Sequence, residues 1–273
     1  MPIKAVKGNS PLILALPHAS SHIPEVVMDR LNATGRSLAD TDWHIDQLFD
    51  GLSDDATIII PAFHRYMCNA NGDPTLTDAG SVNSADAVVP FLNLDGAEIW
   101  HDPPSTAEIR HWRAAFHAPY HAALASQIAR VRANHGYALL LDCHAARVDR
   151  IGSVDPSLPD IRLHTNTGVA CSHSLAADVG GILLKASGYH TKMQASRNSS
   201  WTVARHGRPK LGVHALKIEI ARPAYLTAQE DGWHYDPARA EALRNLLARA
   251  LRHMEVWVPD TVGATRDGKV VVN

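Results

Sequence analysis

The sequence predicts an α/β sandwich with a largely parallel sheet. Short apolar runs bounded by turn residues alternate with longer helical patterns, which is typical of strands connected by helices. Three of the runs are almost continuously apolar, as expected for strands that are buried on both faces of a sheet. The predicted strands are 11–17, 56–62, 137–143 and 213–220.

Four longer segments predict the helices of this sandwich. They are 42–52, 105–133, 173–187 and 236–254. The second segment opens with Ser105 three residues before Glu108, the spacing of a capping box, and we expect Pro119 to kink or split it. The segment 63–104 is rich in Asn, Asp, Gly and Pro, which favours loops over a functional site.

The composition fits one soluble globular domain spanning 1–273, with 45% hydrophobic and 20% charged residues. A net charge of −2 argues against nucleic-acid and membrane partners and leaves a small-molecule substrate as the expected ligand. No apolar run reaches the length of a membrane span, and no signal peptide is recognisable. Three scattered cysteines, Cys68, Cys143 and Cys171, favour the reducing cytoplasm.

Histidines at the ends of two predicted strands suggest a metal site. His18 follows the first strand, and "DCHAAR" places Asp142, His144 and Arg147 at the end of the third. Ligands of α/β sheets bind beyond the carboxyl ends of the strands, so we expect His18 and His144 to meet there. Two imidazoles suit a divalent metal that takes a carboxylate as its third ligand and keeps one position open for water.

The sequence offers carboxylates for both roles that metal-assisted hydrolysis requires. Asp42 and Asp46 are four residues apart on one face of the predicted helix 42–52, and either could be the third ligand, although Asp42 could instead complement the helix dipole. Glu219 lies inside an apolar strand, where a charge is costly unless it is paired or functional, and could serve as the general base. It could also belong to the polar face of a half-buried strand beside Lys217.

Two other arrangements of residues are weaker indications of a functional site. His117 and His121 are spaced for one helix face, and they fit a metal site and a hydrogen-bonded pair beside Pro119 equally well. A cysteine hydrolase is disfavoured because Cys143 is adjacent to His144, and adjacent strand residues point to opposite faces.

Five segments resemble the N-formylglutamate amidohydrolases (deformylases), which are enzymes of histidine breakdown. They are "LPHASSHIP", "DTDWHIDQL", "FHAPYHAAL", "LLLDCHAAR" and "HGRPKLGVHALKIEIARPAY", and together they cover roughly residues 8–255. The resemblance implies a fold related to zinc carboxypeptidases and aspartoacylases, a phosphorylase/hydrolase-like three-layer α/β/α sandwich around a mixed sheet. It also implies one zinc ion bound by His18, His144 and an acid, with Asp42 favoured over Asp46, and a glutamate, Glu219, that activates water.

The chain departs from the family in the segment "RYMCNANGDP", residues 65–74, where relatives resemble "RYVVDLNRDP". Asn69 replaces an aspartate, and Gly72 replaces an arginine, the natural clamp for a carboxylate. We expect Gly72 to leave space for a bulkier or neutral substrate side chain and to weaken recognition of N-formylglutamate.

Several retained residues are candidates for substrate binding. Arg65 could stabilise an oxyanion, and Asn71 could bind substrate. Recognition of the substrate carboxylate could pass to another arginine. The candidates for that role are Arg147, Arg205 and Arg222.

Two functional hypotheses follow. The first is a zinc-dependent cytoplasmic amidohydrolase that cleaves a small N-acyl amino acid, most simply N-formyl-L-glutamate. The second is a family member that kept the fold, lost the activity and binds a small acidic ligand, as the changes at Asn69 and Gly72 suggest. The retained groups argue for the enzyme; they are His18, Asp42, His144 and Glu219.

Overall fold

The structure, a computed structural model, describes residues 2–76, 84, 86–147, 149–150, 153–154, 158–166, 168–195, 200–230 and 232–259. The strands are β1 (Ile3–Val6), β2 (Leu12–Ala15), β3 (Thr57–Pro61), β4 (Ala138–Ala146), β5 (Asp149–Arg150), β6 (Ser153–Val154), β7 (Ile161–His164), β8 (Thr191–Gln194), β9 (Val213–Ala221), β10 (Leu226–Gln229) and β11 (Gly232–Tyr235). The α-helices are α1 (Glu25–Met28), α2 (Ala33–Arg36), α3 (Ile45–Phe49), α4 (Thr106–Trp112), α5 (Ala118–His135), α6 (His173–Leu184), α7 (Trp201–His206) and α8 (Pro237–Val256). A π-helical turn covers Arg113–His117, and 3₁₀ turns cover Pro209–Leu211 and Arg222–Ala224.

Seven strands form one mixed sheet in the order β1-β3-β2-β4-β9-β7-β8. The four strands that the sequence predicts are its parallel centre: β2 pairs in parallel with β3 and β4, and β4 pairs in parallel with β9. The edges reverse direction, since β1 is antiparallel to β3 and β7 is antiparallel to β9. The predicted α/β class and the mixed, largely parallel sheet are therefore confirmed.

Helices cover both faces of the sheet because the central strands are apolar on both sides. Leu139 and Leu141 of β4 pack into a core with α3, α6 and α8, whereas Ala138 and Leu140 pack into a second core with α5 and loop residues within 63–70 and 88–100. The result is three layers, α/β/α. The side chains of β4 and β9 that continue the second face towards the carboxyl ends are polar, and they form the wall of the site.

The structure moves two predicted boundaries that bear on the site. The helix predicted over 42–52 begins only at Ile45, since the preceding residue, His44, has a left-handed backbone with φ +54°. Asp42 therefore lies in the loop before α3, while Asp46 is exposed on the helix, so the two acids do not share a helix face. Strand β4 continues to Ala146, beyond the predicted end at residue 143, which places His144 inside the strand rather than after it.

The long predicted helix begins with the expected capping box. Ser105 Oγ accepts from the Glu108 backbone N–H (3.3 Å), and a Glu108 carboxylate oxygen accepts from the Ser105 N–H (2.8 Å). Pro119 removes one backbone donor, and the helix accommodates it with the π-helical turn immediately before α5.

Several short elements were not predicted, because runs of about four residues carry too little periodicity. They are β1, β5, β6, β7, β8, α1, α2, α7 and the β10–β11 hairpin. The described residues of 63–104 contain no helix or strand, as expected, and bury large side chains such as Tyr66 and Trp100 over the sheet. None of the helices in the described ranges is long and apolar enough to cross a membrane.

Candidate metal centre

Three predicted ligands meet at the carboxyl end of the sheet. Asp42 Oδ2 lies 3.2 Å from His144 Nδ1 and 3.7 Å from His18 Nδ1, and the two imidazole rings are 4.9 Å apart. One ligand atom from each residue lies within 4.8 Å of the other two. All three residues are buried, so this is a built polar group and not a surface cluster.

Local backbone structure positions each of the three. His144 stands on β4, on the face of the sheet covered by α5 and the loop. His18 follows β2, the strand beside β4, after the short segment that contains Pro17. The Asp42 N–H donates to the His18 carbonyl (2.9 Å), which ties the loop before α3 to the end of β2.

The far nitrogen of each imidazole has an oxygen partner. His18 Nε2 lies 2.8 Å from Asn69 Oδ1, and His144 Nε2 lies 3.0 Å from Asp142 Oδ2. These oxygens accept, so each Nε2 carries the proton and each Nδ1 turns towards Asp42. A metal-binding histidine characteristically donates its other N–H to a carboxylate or carbonyl oxygen, so this donor set fits a divalent metal at the two Nδ1 atoms and Asp42 Oδ2.

The pKa values of the two histidines differ sharply. Burial and the charge of Arg65 lower the pKa of His18 to about 4. Burial also acts to lower the pKa of His144, but Asp142 and Asp42 raise it to about 9. The bonds to these histidines hold the pKa of Asp42 well below its usual range, against the effect of burial. A metal would therefore displace a proton from His144 but not from His18.

The segment around Asn69 and Asn71 supports the candidate ligands. Asn69 Oδ1 accepts from the Asn71 N–H (3.0 Å) as well as from His18, and Asn71 Nδ2 donates to Asp142 Oδ2 (3.2 Å). Asn71 Oδ1 accepts from the Ser200 hydroxyl and from the Thr202 N–H, each at 2.9 Å. Asn71 lines the cavity, but its amide is already used to support Asp142.

The histidine pair of the long helix lies outside the metal cluster and holds this same segment. His117 Nε2 donates to the Gly72 carbonyl (2.9 Å), and His121 Nε2 donates to the Ala70 carbonyl (2.7 Å). Burial lowers the pKa of His117 to about 4 and that of His121 to about 3, so both are neutral donors near pH 7. The structure thus places the pair in backbone hydrogen bonds.

Glu219 stands in register with His144 on the neighbouring strand and is surrounded by donors. Its Oε1 lies 2.7 Å from Lys217 Nζ, and its Oε2 lies 3.0 Å from Arg162 Nη1 and 3.1 Å from His164 Nε2. Burial acts to raise the pKa of Glu219, but the His164 hydrogen bond and the Lys217 charge hold it well below the usual range. The carboxylate is therefore ionised at neutral pH.

These groups face a cavity of about 510 Å³ at the carboxyl end of the sheet. All eight predicted site residues line it, namely His18, Asp42, Arg65, Asn71, His144, Arg147, Glu219 and Arg222. The cavity also contains residues that the sequence analysis did not assign to the site, including Asn69, Arg162, Ser200 and Lys217. The sequence analysis noted Lys217 as the neighbour of Glu219. It did not identify Arg162, because this residue lies on the unpredicted strand β7.

Comparison with known proteins gives the chain a family. Residues 10–226 match the N-formylglutamate amidohydrolase family. The chain belongs to this family. It is 30% identical over 254 residues to an N-formylglutamate deformylase of Pseudomonas aeruginosa, an alignment that covers 92% of this chain and 95% of that protein. It is 29% identical over 256 residues to an N-formylglutamate deformylase of Pseudomonas putida, covering 92% and 94%.

Solved structures share the fold. An N-formylglutamate amidohydrolase from Ralstonia eutropha superposes with a TM-score of 0.77 at 21% identity, covering 92% of this chain and 96% of that chain. A gene product of Agrobacterium tumefaciens superposes with a TM-score of 0.66 at 19% identity, covering 93% and 96%. The resemblance seen in the sequence motifs is thereby confirmed for the family and for its sandwich fold.

The two departures from the family pattern have different structural consequences. Asn69 accepts a hydrogen bond from His18, so the change at this position acts on a candidate metal ligand. The backbone of residues 87–88 lies close to Gly72: a Cβ added there would lie 2.8 Å from the Ala87 carbonyl oxygen and 2.8 Å from Val88 Cα. The expectation that Gly72 leaves room for substrate is wrong, because the backbone of residues 87–88 fills that room.

The candidate arginines differ in their ion pairs, their hydrogen bonds and their exposure. Arg147 is held by Asp40 and Asp95 at 2.7 Å each, so both ends of its guanidinium are paired. Arg222 is 2% exposed and donates to the carbonyls of Ala39 and Thr41, which braces the loop that carries Asp42. Arg65 is buried in the wall near His18. The remaining candidate, Arg205, is exposed on α7 and does not line the cavity.

Proposed function

We propose that the protein is a metal-dependent amidohydrolase that cleaves the acyl amide of a small N-acyl amino acid, most simply N-formyl-L-glutamate to formate and L-glutamate. Family membership supports this reaction, as do two deformylase relatives that align along 92% of the chain. The observation that carries the proposal is the convergence of His18, Asp42 and His144 in the wall of a cavity that also holds Glu219.

We assign His18, Asp42 and His144 as ligands of one zinc ion. Two imidazole nitrogens and one carboxylate oxygen are the donors of a catalytic zinc site. Bound zinc supplies Lewis acidity, which polarises the acyl carbonyl and brings the pKa of water from about 15.7 towards 7. Asn69 and Asp142 keep the two imidazoles in the tautomer that presents Nδ1.

Glu219 is assigned as the group that takes the proton of the attacking water and passes it to the leaving amine. It is ionised, as a base must be, and it adjoins His144 in the sheet. The donors that keep it ionised also make it a weak base, so it can act only on water that is already acidified. Arg65, buried in the cavity wall, is assigned as the donor to the developing oxyanion.

The cavity volume and the expected surroundings agree with a small substrate. About 510 Å³ lies in the usual range for small-molecule sites. We propose histidine breakdown as the setting of the reaction, which the family resemblance supports. The cytoplasmic location and the absence of nucleic-acid and membrane partners stay predictions.

Formate release from N-formyl-L-glutamate by the zinc-loaded protein tests the proposal, in parallel with a panel of other N-formyl and N-acetyl amino acids. Turnover of any panel member that is lost on removal of zinc and restored by its addition supports it. The alternative is a non-catalytic member that binds a small acidic ligand. It would be indicated if zinc-loaded protein binds L-glutamate but hydrolyses no member of the panel.

A further inference from the structure

One wall of the cavity carries more positive charge than the proposed mechanism uses. We call Arg162 and Lys217 the cation pair. Both contact the same carboxylate, Lys217 at 2.7 Å and Arg162 at 3.0 Å from Glu219. Glu219 is therefore flanked by two cationic side chains to which the proposed mechanism assigns no role.

The sheet register places this pair beside the candidate metal centre. Glu219 on β9 is opposite His144 on β4, and Arg162 on β7 is opposite Glu219. Lys217 occupies the position opposite Asp142. Neighbouring strands are about 4.8 Å apart, so a substrate whose acyl group is at His144 would extend its amino-acid part over the cation pair within one or two strand spacings.

The cation pair can reach a ligand in the cavity. Both residues line it, and their side chains are 22% exposed for Arg162 and 12% for Lys217. Within the described part of the chain, Arg162 hydrogen-bonds through Nη1 alone, to Glu219. A guanidinium has five N–H donors arranged to match a carboxylate, so Arg162 retains donor capacity for a ligand that reaches this wall.

The other arginines that were candidates for this role are committed elsewhere. Arg147 is neutralised by Asp40 and Asp95. Arg222 is nearly inaccessible and donates to backbone carbonyls. Gly72, where the family resemblance implies an arginine, has no room for a side chain.

We propose that the cation pair binds a carboxylate of the substrate and so selects N-acyl amino acids that present one at this wall. This inference rests on the proposed function for the identity of the substrate. A substrate carboxylate at this wall would accept hydrogen bonds from Arg162 donors that Glu219 does not occupy, beside the positive charge of Lys217. N-Formylglutamate offers an α- and a γ-carboxylate with the same chemistry, and the experiment separates them.

The test uses Arg162→Gln and Lys217→Met with three substrates. These are N-formyl-L-glutamate, N-formyl-L-glutamine, which lacks the γ-carboxylate, and N-formyl-L-isoglutamine, which lacks the α-carboxylate. Each variant should lose about ten- to a hundredfold in kcat/KM on N-formyl-L-glutamate, mainly through KM, as expected for a lost charge-assisted hydrogen bond. On the analogue that lacks the recognised carboxylate, the variants should equal the parent, and that analogue identifies the carboxylate.

Lys192→Met is the matched control. Lys192 is in register with Arg162 on β8 but is exposed and does not line the cavity, so the variant removes a neighbouring charge and should keep the parent kinetics. Equal losses for Arg162→Gln on all three substrates would overturn the inference, because the residue would then act through Glu219. The absence of any loss would overturn it as well.

Calorimetric binding of L-glutamate separates this inference from the proposed function. Affinity should fall at least tenfold in Arg162→Gln and Lys217→Met but not in Lys192→Met, even if no substrate in the panel is hydrolysed. Unchanged affinity in the two cavity variants, or no measurable binding by the parent protein, contradicts the inference whatever the activity. Circular dichroism and zinc content establish that each variant is folded and loaded.

Discussion

Glu219 and His144 occupy opposite positions on two adjacent parallel strands, β9 and β4. This pairing puts a carboxylate that is ionised by its own neighbours beside a histidine that contacts Asp42. The register of the central strands thus brings a candidate base and a candidate metal ligand onto one face of the sheet. The same register places Arg162, on β7, on the far side of Glu219 from His144.

Substitution of His144 tests the metal centre. His144→Ala removes one of the two proposed imidazole ligands and leaves Asp42 and Asp142 facing each other, so zinc affinity should fall steeply. Zinc content after dialysis, measured by elemental analysis, checks this. The control is His22→Ala, because His22 is exposed and follows the same strand as His18. Equal zinc content in His144→Ala and the parent would place the metal elsewhere.

Substitution of Glu219 tests the base. Glu219→Gln keeps the shape but cannot accept the proton, so kcat should fall about 10²-fold or more with zinc content unchanged. The variant also leaves Arg162 and Lys217 without their carboxylate, so thermal denaturation has to accompany the kinetics. Glu241→Gln, on the exposed side of α8, should change neither quantity. Full turnover in folded Glu219→Gln would remove this residue from the mechanism.

The hydrogen bond from His18 to Asn69 makes a prediction about metal affinity. Asn69→Ala deletes the acceptor that orients His18, and such supporting partners typically contribute 10- to 100-fold to metal binding. Asn69→Asp replaces it with a charged acceptor and should bind zinc more tightly than the parent. Competition with a chromophoric chelator measures both. The opposite order, or identical affinities, would show that His18 Nδ1 is not a zinc ligand.

The helix histidines should affect the metal centre without touching it. His121→Phe leaves the buried Ala70 carbonyl without its donor, which costs about 1–3 kcal/mol and loosens the segment that holds Asn69 and Asn71. Zinc affinity and kcat/KM should both fall. His121→Gln keeps a side-chain N–H and should restore part of each. A loss of stability alone, with unchanged zinc affinity, would make the role of His121 purely structural.

The sequence analysis predicted the parallel centre of the sheet and eight of the residues that line the cavity because these depend on local signals. Continuous apolar runs identify buried strands, and a polar residue at their carboxyl ends is unusual enough to single out His18, His144 and Glu219. The carboxylate of the candidate metal site was harder to predict. Asp42 and Asp46 are equivalent by helical spacing, and only the left-handed turn at His44 separates them.

The partners of these residues could not be predicted, because they come from distant segments. Asn69, Ser200 and Arg162 reach the site only through the sheet order and the loop path, which no local pattern encodes. The same holds for the backbone of residues 87–88, which approaches Gly72 through a bridge between Asp73 and Ala87. A comparison of motifs alone therefore interpreted Gly72 as vacated space.

The packing around Gly72 yields a prediction that reverses that interpretation. A methyl group there would sit 2.8 Å from the Ala87 carbonyl oxygen and Val88 Cα, so Gly72→Ala has to displace backbone and should cost about 1–3 kcal/mol of stability. Gly181→Ala is the matched control, since nothing lies within 4 Å of its added Cβ in α6, and it should stabilise by about 0.5–1 kcal/mol. Urea denaturation measures both changes.

Asn69→Asp combined with Gly72→Arg restores the family residues, yet it should not raise kcat/KM on N-formyl-L-glutamate, because the arginine cannot enter without moving residues 87–88. A folded double variant with improved turnover would show that the loop yields and that the clamp of the relatives can be rebuilt here.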